Sequence, residues 1–179
     1  MKTIFENFIG SIKDFIYAIG FFGEQISFLW CCFITITYSY VYFISFLIMF
    51  VINKFINHLL KQTIQHLRPS NSIKFLNNEI YFQKSNGMPS GHTQITTFNL
   101  MFAYFVSGKK LYETIVLLCI VIFQRYLFNN HTFLQLIAGV GLGGAIAYVS
   151  FIISKKIKQK IDLNKNKKHL AKQPPDNAN

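Results

Sequence analysis

The feature that most constrains this chain is a run of 29 residues without a formal charge between Glu24 and Lys54. As one α-helix it would be about 44 Å long at ~1.5 Å per residue, which exceeds the ~30 Å hydrocarbon core of a bilayer. The run is too long for one upright span and too short for two, so it must share residues with its flanks. We predict spans over residues 17 to 37, with Glu24 near one end, and over residues 40 to 62.

The composition supports a membrane protein. Only 14% of the 179 residues are charged and 51% are hydrophobic, whereas soluble domains are about 25% charged. Further apolar segments predict spans over residues 93 to 107, 111 to 128 and 132 to 153. The expected fold is therefore all-α: a polytopic transmembrane helix bundle of about five spans, with an active site at one membrane surface.

Composition shifts divide the chain into three parts. Residues 1 to 15 mix charged and apolar side chains and predict an amphipathic segment in the membrane interface. Residues 16 to 154 form the transmembrane domain, interrupted by a polar loop over residues 69 to 88. Residues 155 to 179 carry eight lysines and predict the end of a helix followed by a disordered tail.

The lysines also predict an orientation. The turn at Lys109 and Lys110 and the C-terminal tail are separated by two spans, so they lie on one face, and the positive-inside rule makes that face cytoplasmic. The loops around residues 69 to 92 and 129 to 131 then lie on the lumenal or extracytoplasmic face. Topology accounts for the net charge of +11 without a nucleic-acid partner.

The last predicted span is rich in small residues, which allow helices to pack closely in a membrane. A nucleotide-binding glycine loop is the less favoured interpretation, because no strand precedes the run and no charge lies near it. The small residues are Ala138, Gly139, Gly141, Gly143, Gly144, Ala145 and Ala147.

Cations and histidines converge on the predicted non-cytoplasmic face. These residues are Lys61, His92, His131 and the only two arginines of the chain, Arg68 and Arg125. An arginine fork suits a phosphate, and the sequence places no acid between Glu24 and Glu79 or between Glu113 and Asp162. We therefore expect a site without carboxylates or a metal, and phosphoryl chemistry that uses histidine.

Three motifs occur in order at predicted helix ends: Lys61-x6-Arg68-Pro69, Pro89-Ser90-Gly91-His92 and Arg125-x5-His131. In order and spacing they resemble the three signature motifs of the type 2 phosphatidic acid phosphatase superfamily, membrane lipid phosphatases that need no cofactor. The resemblance covers residues 61 to 135, and the surrounding spans extend it to most of the chain.

The resemblance implies a mechanism. His131 would be the nucleophile that forms a phosphohistidine, and His92 the general acid that protonates the leaving oxygen. The side chains and backbone groups that hold the phosphate would belong to Lys61, Arg68, Ser90, Gly91 and Arg125. His58 and His66 lack motif positions, and we interpret them as structural; His169 would be solvated in the tail.

The third motif departs from the superfamily pattern at two positions. Gln124 replaces the usual Ser before the arginine, and Gln135 replaces the usual Asp one helical turn after the nucleophile. An Asp would orient the imidazole and stabilise its charge, whereas Gln135 can only orient it. We therefore include Gln135 in the catalytic set.

The dolichyl diphosphate phosphatases of this superfamily resemble the chain in finer detail. The shared residues are Ile64-Gln65, Gly87-Met88, Gln94, His131-Thr132 and Gln135. This resemblance implies a polyprenyl diphosphate substrate. The alternatives are a broader lipid phosphate phosphatase and a catalytically impaired relative that binds lipid head groups. The sequence does not predict the oligomeric state.

Overall fold

The structure is a computed structural model that describes residues 10, 14–73, 80–81, 85–108 and 111–170. Its helices are α1 (Asp14–Phe21), α2 (Gly23–Tyr38), α3 (Tyr40–Ile64), α4 (Gly91–Ser107), α5 (Leu111–Leu127) and α6 (Phe133–Leu170). Two short antiparallel strands, β1 (Ser72–Ile73) and β2 (Ile80–Tyr81), lie between α3 and α4. Nearly all of the predicted amphipathic segment, residues 1 to 15, lies outside the described residues.

Helix α4 lies at the centre of the bundle and contacts α2, α3, α5 and α6. Ten of its residues are buried, as expected for a helix that is covered on all sides. The Phe98 and Phe102 rings each pack 5.8 Å from the ring of Phe46 on α3. Because α4 is fixed from several directions, its N-terminus has a defined position relative to the neighbouring helices.

The small residues of α6 allow its backbone to approach α4. A Cβ atom on Gly139 would lie 2.9 Å from the Ser90 carbonyl oxygen, and one on Gly143 would collide with the Gln94 carbonyl oxygen. A Cβ atom on Gly141 or Gly144 would meet nothing within 4 Å, so the predicted close packing is confirmed only for Gly139 and Gly143. Since the two glycines are one turn apart, they align the beginning of α6 with the beginning of α4.

The bundle exposes apolar side chains and buries polar ones, as a membrane environment requires. Leu29, Val51 and Phe133 are each more than 60% exposed, whereas Asn53, Gln94 and Asn99 are fully buried. Two described helices, α3 and α6, are long and apolar enough to cross a bilayer, and the bent pair α1–α2 would make a third. The chain therefore has the properties of a membrane protein.

The prediction of about five spans is not confirmed. The expected span over residues 17 to 37 is broken at Phe22, where α1 and α2 meet at 62°. Helices α4 and α5 contain 17 residues each. At ~1.5 Å per residue each is about 26 Å long, slightly less than the ~30 Å apolar core.

Helix α6 continues well beyond the apolar region where we expected it to end. It runs without interruption to Leu170, so residues 155 to 170 are helical; residues 171 to 179 lie outside the described part. Lys158 donates to Asp162 at 2.7 Å, one turn further along. Lysine and glutamine are good helix formers, and the next helix breaker is Pro174.

Helix directions place several termini at one end of the bundle. The C-termini of α3 and α5 and the N-termini of α4 and α6 carry the motif residues. The opposite end is marked by the Tyr38 hydroxyl, which donates to the Ser107 carbonyl oxygen at 3.2 Å, and by Lys165, whose Nζ lies 5.7 Å from the Tyr40 ring centroid. The lysine-rich part of α6 is thus at the end away from the motifs.

Candidate active site

The end of α3 brings the first motif into position. Gln65 adopts a left-handed conformation, with φ of 51°, and its N–H donates to the Lys61 carbonyl oxygen, which ends the helix. The chain then pairs with a later segment: the Gly87 N–H donates to the His66 carbonyl oxygen at 2.7 Å, and the Arg68 N–H donates to the Ser85 carbonyl oxygen at 3.1 Å. Arg68 is therefore held next to the segment that leads into α4.

The N-terminus of α4 carries the second motif. Ser90 precedes the helix, and its hydroxyl lies 3.0 Å from the Thr93 hydroxyl, so Ser90 does not cap the backbone N–H groups. A Cβ atom on Gly91 would lie 3.3 Å from Lys61 Nζ, which places the ammonium group beside the helix N-terminus. Backbone N–H groups at such a terminus, next to a cation, form a favourable site for an anion.

The end of α5 contributes Arg125, which is only 6% exposed. Its Cζ lies 5.5 Å from the ring centroid of Phe21. Its Nε and Nη2 atoms have no hydrogen-bond partner among the described residues. Buried donors are normally satisfied, so these two guanidinium nitrogens are suited to an anionic ligand.

His131 and Gln135 are in direct contact, as the motif predicts. His131 is 2% exposed and Gln135 is fully buried, and Nδ1 of His131 lies 3.1 Å from Oε1 of Gln135. The Thr132 N–H also donates to that oxygen at 3.2 Å. The Gln135 backbone carbonyl accepts from the Ser90 N–H at 3.0 Å, which ties the third motif to the second.

The amide nitrogen of Gln135 reaches the first motif. Nε2 donates to the Leu67 carbonyl oxygen at 2.9 Å and lies 2.8 Å from Nδ1 of His66. A Cβ atom on Gly87 would come within 2.7 Å of both amide atoms, so only glycine leaves room for this arrangement. The sequence predicts a structural role for His66, and no motif indicates its contact with Gln135.

Buried side-chain amides connect α3 and α4 next to the site. The Asn57 side chain donates to Oε1 of Gln94 at 2.7 Å, and Nε2 of Gln94 donates to Oδ1 of Asn53 at 2.7 Å. Asn57 also donates to the Pro89 carbonyl oxygen at 3.3 Å. These hydrogen bonds fix α3 against α4 and hold the N-terminus of α4 close to Lys61.

Both motif histidines are neutral at physiological pH. Burial, followed by the charge of Arg68, lowers the pKa of His131 to about 3. Burial, followed by the charge of Arg125, lowers the pKa of His92 to about 3. A neutral imidazole is the nucleophilic form, whereas a general acid must acquire a proton. A bound phosphate would offset the cationic charges and raise the pKa of His92.

The expectation of a site without carboxylates is wrong. Oε2 of Glu24 lies 3.9 Å from Nε2 of His92, and Oε1 forms a 3.0 Å ion pair with Lys54. Glu24 lies in the first turn of α2, and the bend at Phe22 turns that end of the helix toward α4. The sequence separates Glu24 from every motif, so its proximity to His92 depends on the packing of helices distant in sequence.

Within the described ranges, no three His, Cys, Asp or Glu side chains are grouped closely enough to hold a metal ion. Glu24 is bonded to Lys54, and His131 and His66 are both engaged with Gln135. The groups available to a ligand are therefore cations, backbone N–H groups and imidazoles. Such a set binds an oxyanion rather than a cation.

Comparisons with known proteins agree with the motifs. A family model described as the PAP2 superfamily matches residues 42–159, a range that includes all three motifs, the whole of α4 and α5, and most of α3 and α6. No curated protein and no solved structure matches the chain.

Proposed function

The chain belongs to the PAP2 superfamily, and from this membership we propose that it hydrolyses a polyprenyl diphosphate to the monophosphate through a phosphohistidine. Members of the superfamily are phosphatases that act on lipid-like phosphates. The proposal extends this activity to a dolichyl-type substrate and to particular residue roles. The observation that carries it is a neutral His131, oriented by Gln135 and influenced by the charges of Arg68, Lys61 and Arg125.

The terminal phosphate binds among the cations. Arg125 offers its buried Nε and Nη2 donors, Lys61 supplies an ammonium beside Gly91, and Arg68 adds a second guanidinium. The Ser90 hydroxyl and the Gly91 N–H complete the proposed set. These groups stabilise the equatorial oxygens as charge develops during phosphoryl transfer.

In the first step the Nε2 lone pair of His131 attacks phosphorus. The bond from phosphorus to the bridging oxygen breaks, and His92 gives its proton to that oxygen, so the lipid leaves as a monophosphate. The Nδ1 proton of His131 stays hydrogen-bonded to Gln135. His92 is prepared for this role because the substrate anion raises its pKa and Glu24 lies 3.9 Å away.

In the second step His92, now neutral, accepts a proton from a water molecule as that water attacks the phosphohistidine. The P–N bond breaks, the electron pair returns to Nε2 of His131, and inorganic phosphate leaves. His92 ends the cycle protonated. No step requires a metal ion or an external cofactor.

An apolar groove beside the site supports a substrate with a long lipid chain. Its volume is about 660 Å³, and its lining includes Tyr126, which follows Arg125, and Phe133, two residues after His131. The remaining lining residues are Cys119, Ile120, Ile122 and Phe123. A chain held there would extend from the phosphate along the outer face of α5.

The proposal is tested by phosphate release from dolichyl diphosphate, undecaprenyl diphosphate and phosphatidic acid, with purified protein in detergent. We expect release from the diphosphates at least about tenfold faster than from phosphatidic acid. His131→Ala should remove activity while the protein stays folded, and EDTA should leave the activity of the unaltered protein intact.

Other outcomes select the alternatives. Comparable rates on all three lipids would favour a broader lipid phosphate phosphatase. Binding of lipid phosphates without any release would favour an impaired relative that binds head groups. This alternative is considered because Gln135 stands where the superfamily usually has Asp. Strong inhibition by EDTA would contradict the metal-independent mechanism.

A further inference from the structure

We propose that His66 is a positioning residue for the nucleophile His131, acting through the Gln135 amide to fix which nitrogen of His131 carries the proton. The inference rests on the proposed function, because His131 is a nucleophile only if that function is correct. It rests on a continuous hydrogen-bonded chain, His66–Gln135–His131, with separations of 2.8 Å and 3.1 Å.

Two backbone groups determine the orientation of the Gln135 amide. The Thr132 N–H can only donate, and it lies 3.2 Å from Oε1. The Leu67 carbonyl can only accept, and it lies 2.9 Å from Nε2. Exchanging the oxygen and nitrogen of the amide would place donor against donor at Thr132 and acceptor against acceptor at Leu67, and both buried contacts would be lost.

This orientation decides the proton position on each histidine. Oε1 of Gln135 can only accept, so Nδ1 of His131 must carry a proton, which leaves the Nε2 lone pair available for attack. Nε2 of Gln135 has two N–H groups. One donates to Leu67, and the other donates to Nδ1 of His66, which must therefore be unprotonated.

His66 is needed because it is the second acceptor for that amide. Gln135 is fully buried, so without His66 one N–H would lose its partner. The amide would then be held less firmly, and the other tautomer of His131, with the proton on Nε2, would gain population. An Asp at this position could not make the same contacts, since a carboxylate has no proton to donate to Leu67.

The backbone conformation around residue 66 sets the position of His66. Gln65 turns in the left-handed conformation at the end of α3, and the His66 carbonyl is then held by the Gly87 N–H at 2.7 Å. His66 is an exposed residue, and its Nδ1 contacts the amide of the fully buried Gln135. It therefore covers the buried amide from the surface instead of packing in the core.

The test compares two substitutions. His66→Asn places a carbonyl oxygen near the position of Nδ1 and keeps an acceptor, whereas His66→Leu removes the acceptor and keeps apolar bulk. His58→Leu is the matched control, because His58 is an exposed histidine of α3 bonded only to Gln62 at 2.9 Å among the described side chains. The variants are purified in detergent and assayed with dolichyl diphosphate and phosphatidic acid.

We expect His66→Leu to lower kcat about 5- to 30-fold, the effect of losing one buried hydrogen bond, with little change in KM. His66→Asn should retain most of kcat, and His58→Leu should match the unaltered protein. In ¹⁵N NMR, His131 should show the tautomer protonated at Nδ1 in the unaltered protein and in His66→Asn. His66→Leu should show a mixture of both tautomers.

The NMR measurement separates this inference from the proposed function, since it requires no turnover. If no lipid phosphate is hydrolysed but His131 loses its single tautomer only in His66→Leu, the positioning role holds and the proposed function fails. If His131 keeps the same single tautomer in His66→Leu, or if kcat is unchanged in an active protein, the positioning role is wrong.

Discussion

At the scale of single residues, the site combines one buried cation, Arg125, and two partly exposed ones, Lys61 and Arg68, with neutral imidazoles. Arg125 is 6% exposed and has two guanidinium nitrogens without partners among the described residues. His131 is 2% exposed, and burial keeps its pKa far below the usual imidazole value. Each of these arrangements is costly in the absence of an anion, so the residue types are explained better by binding than by stability.

Arg125→Lys tests the use of the guanidinium fork. A lysine keeps the positive charge but offers one nitrogen where the arginine offers several in a plane. We expect kcat/KM for the preferred lipid phosphate to fall about 10- to 100-fold, the equivalent of one or two charge-assisted hydrogen bonds. Lys158→Met, in the exposed part of α6, serves as the control. Equal activity of Arg125→Lys and the unaltered protein would exclude the fork.

The pH dependence tests the protonation state of His131. In the proposed mechanism the neutral form of His131 attacks, and its pKa of about 3 means that this form persists as the pH falls from 7 to 5. An imidazole with a pKa of ~6.5 would be about 97% protonated at pH 5 and lose about 30-fold in rate. We expect no loss of kcat/KM over this range, after correction for the measured ionisation of the lipid, because His131 stays neutral while protonation of the general acid His92 can only increase as the pH falls. A steep loss centred near pH 6.5 would contradict this.

At the scale of elements, the bundle is organised around α4. Its beginning carries Ser90 and His92, and the glycines of α6 allow α6 to pack against this segment. Gly139 faces the Ser90 carbonyl oxygen and Gly143 faces that of Gln94. The same contacts that stabilise the two helices therefore set the position of the second motif relative to the third.

Gly143→Ala tests this packing. The added methyl group would meet the Gln94 carbonyl on the rigid backbone of α4, so we expect destabilisation of about 1–3 kcal/mol and reduced activity. Gly141→Ala and Gly144→Ala are matched controls, because a Cβ atom at either position meets nothing within 4 Å. Thermal unfolding in detergent provides the measurement. A stability of Gly143→Ala equal to that of the controls would contradict the packing account.

Short-range patterns predicted much of this architecture. The uncharged run predicted helical segments, the small residues predicted close packing, and the motif spacing placed Lys61, His92 and His131 at helix ends. Glu24 and His66 were missed because their contacts depend on the bend at Phe22 and the left-handed turn at Gln65. Such features arise from the packing of distant elements and leave no periodic signal in the sequence.

At the scale of the whole molecule, positive charge is concentrated at both ends of the bundle. The motif cations lie at one end, and the lysine-rich part of α6 lies at the other, where Lys165 contacts Tyr40. The positive-inside rule predicts that the lysine-rich end faces the cytoplasm. The substrate phosphate would then be hydrolysed on the lumenal or extracytoplasmic face.

Protease protection of a C-terminal epitope tag tests this orientation in sealed vesicles of known sidedness. We expect the tag to be digested when the cytoplasmic face is outside and protected when it is inside. A variant with the α6 lysines from 155 to 168 replaced by glutamine serves as a comparison, since it should orient less uniformly. Protection in the reverse sense would place the active site on the cytoplasmic face.

The central claim is that His131 becomes covalently phosphorylated. The most direct test is rapid acid-free quenching of the protein with dolichyl diphosphate labelled in its terminal phosphate, followed by peptide mapping of the bound label. We predict an acid-labile, base-stable label on the peptide containing His131, which forms within one turnover and is absent from His131→Ala. Phosphate release without any label on His131, or a label on another residue, would contradict the account.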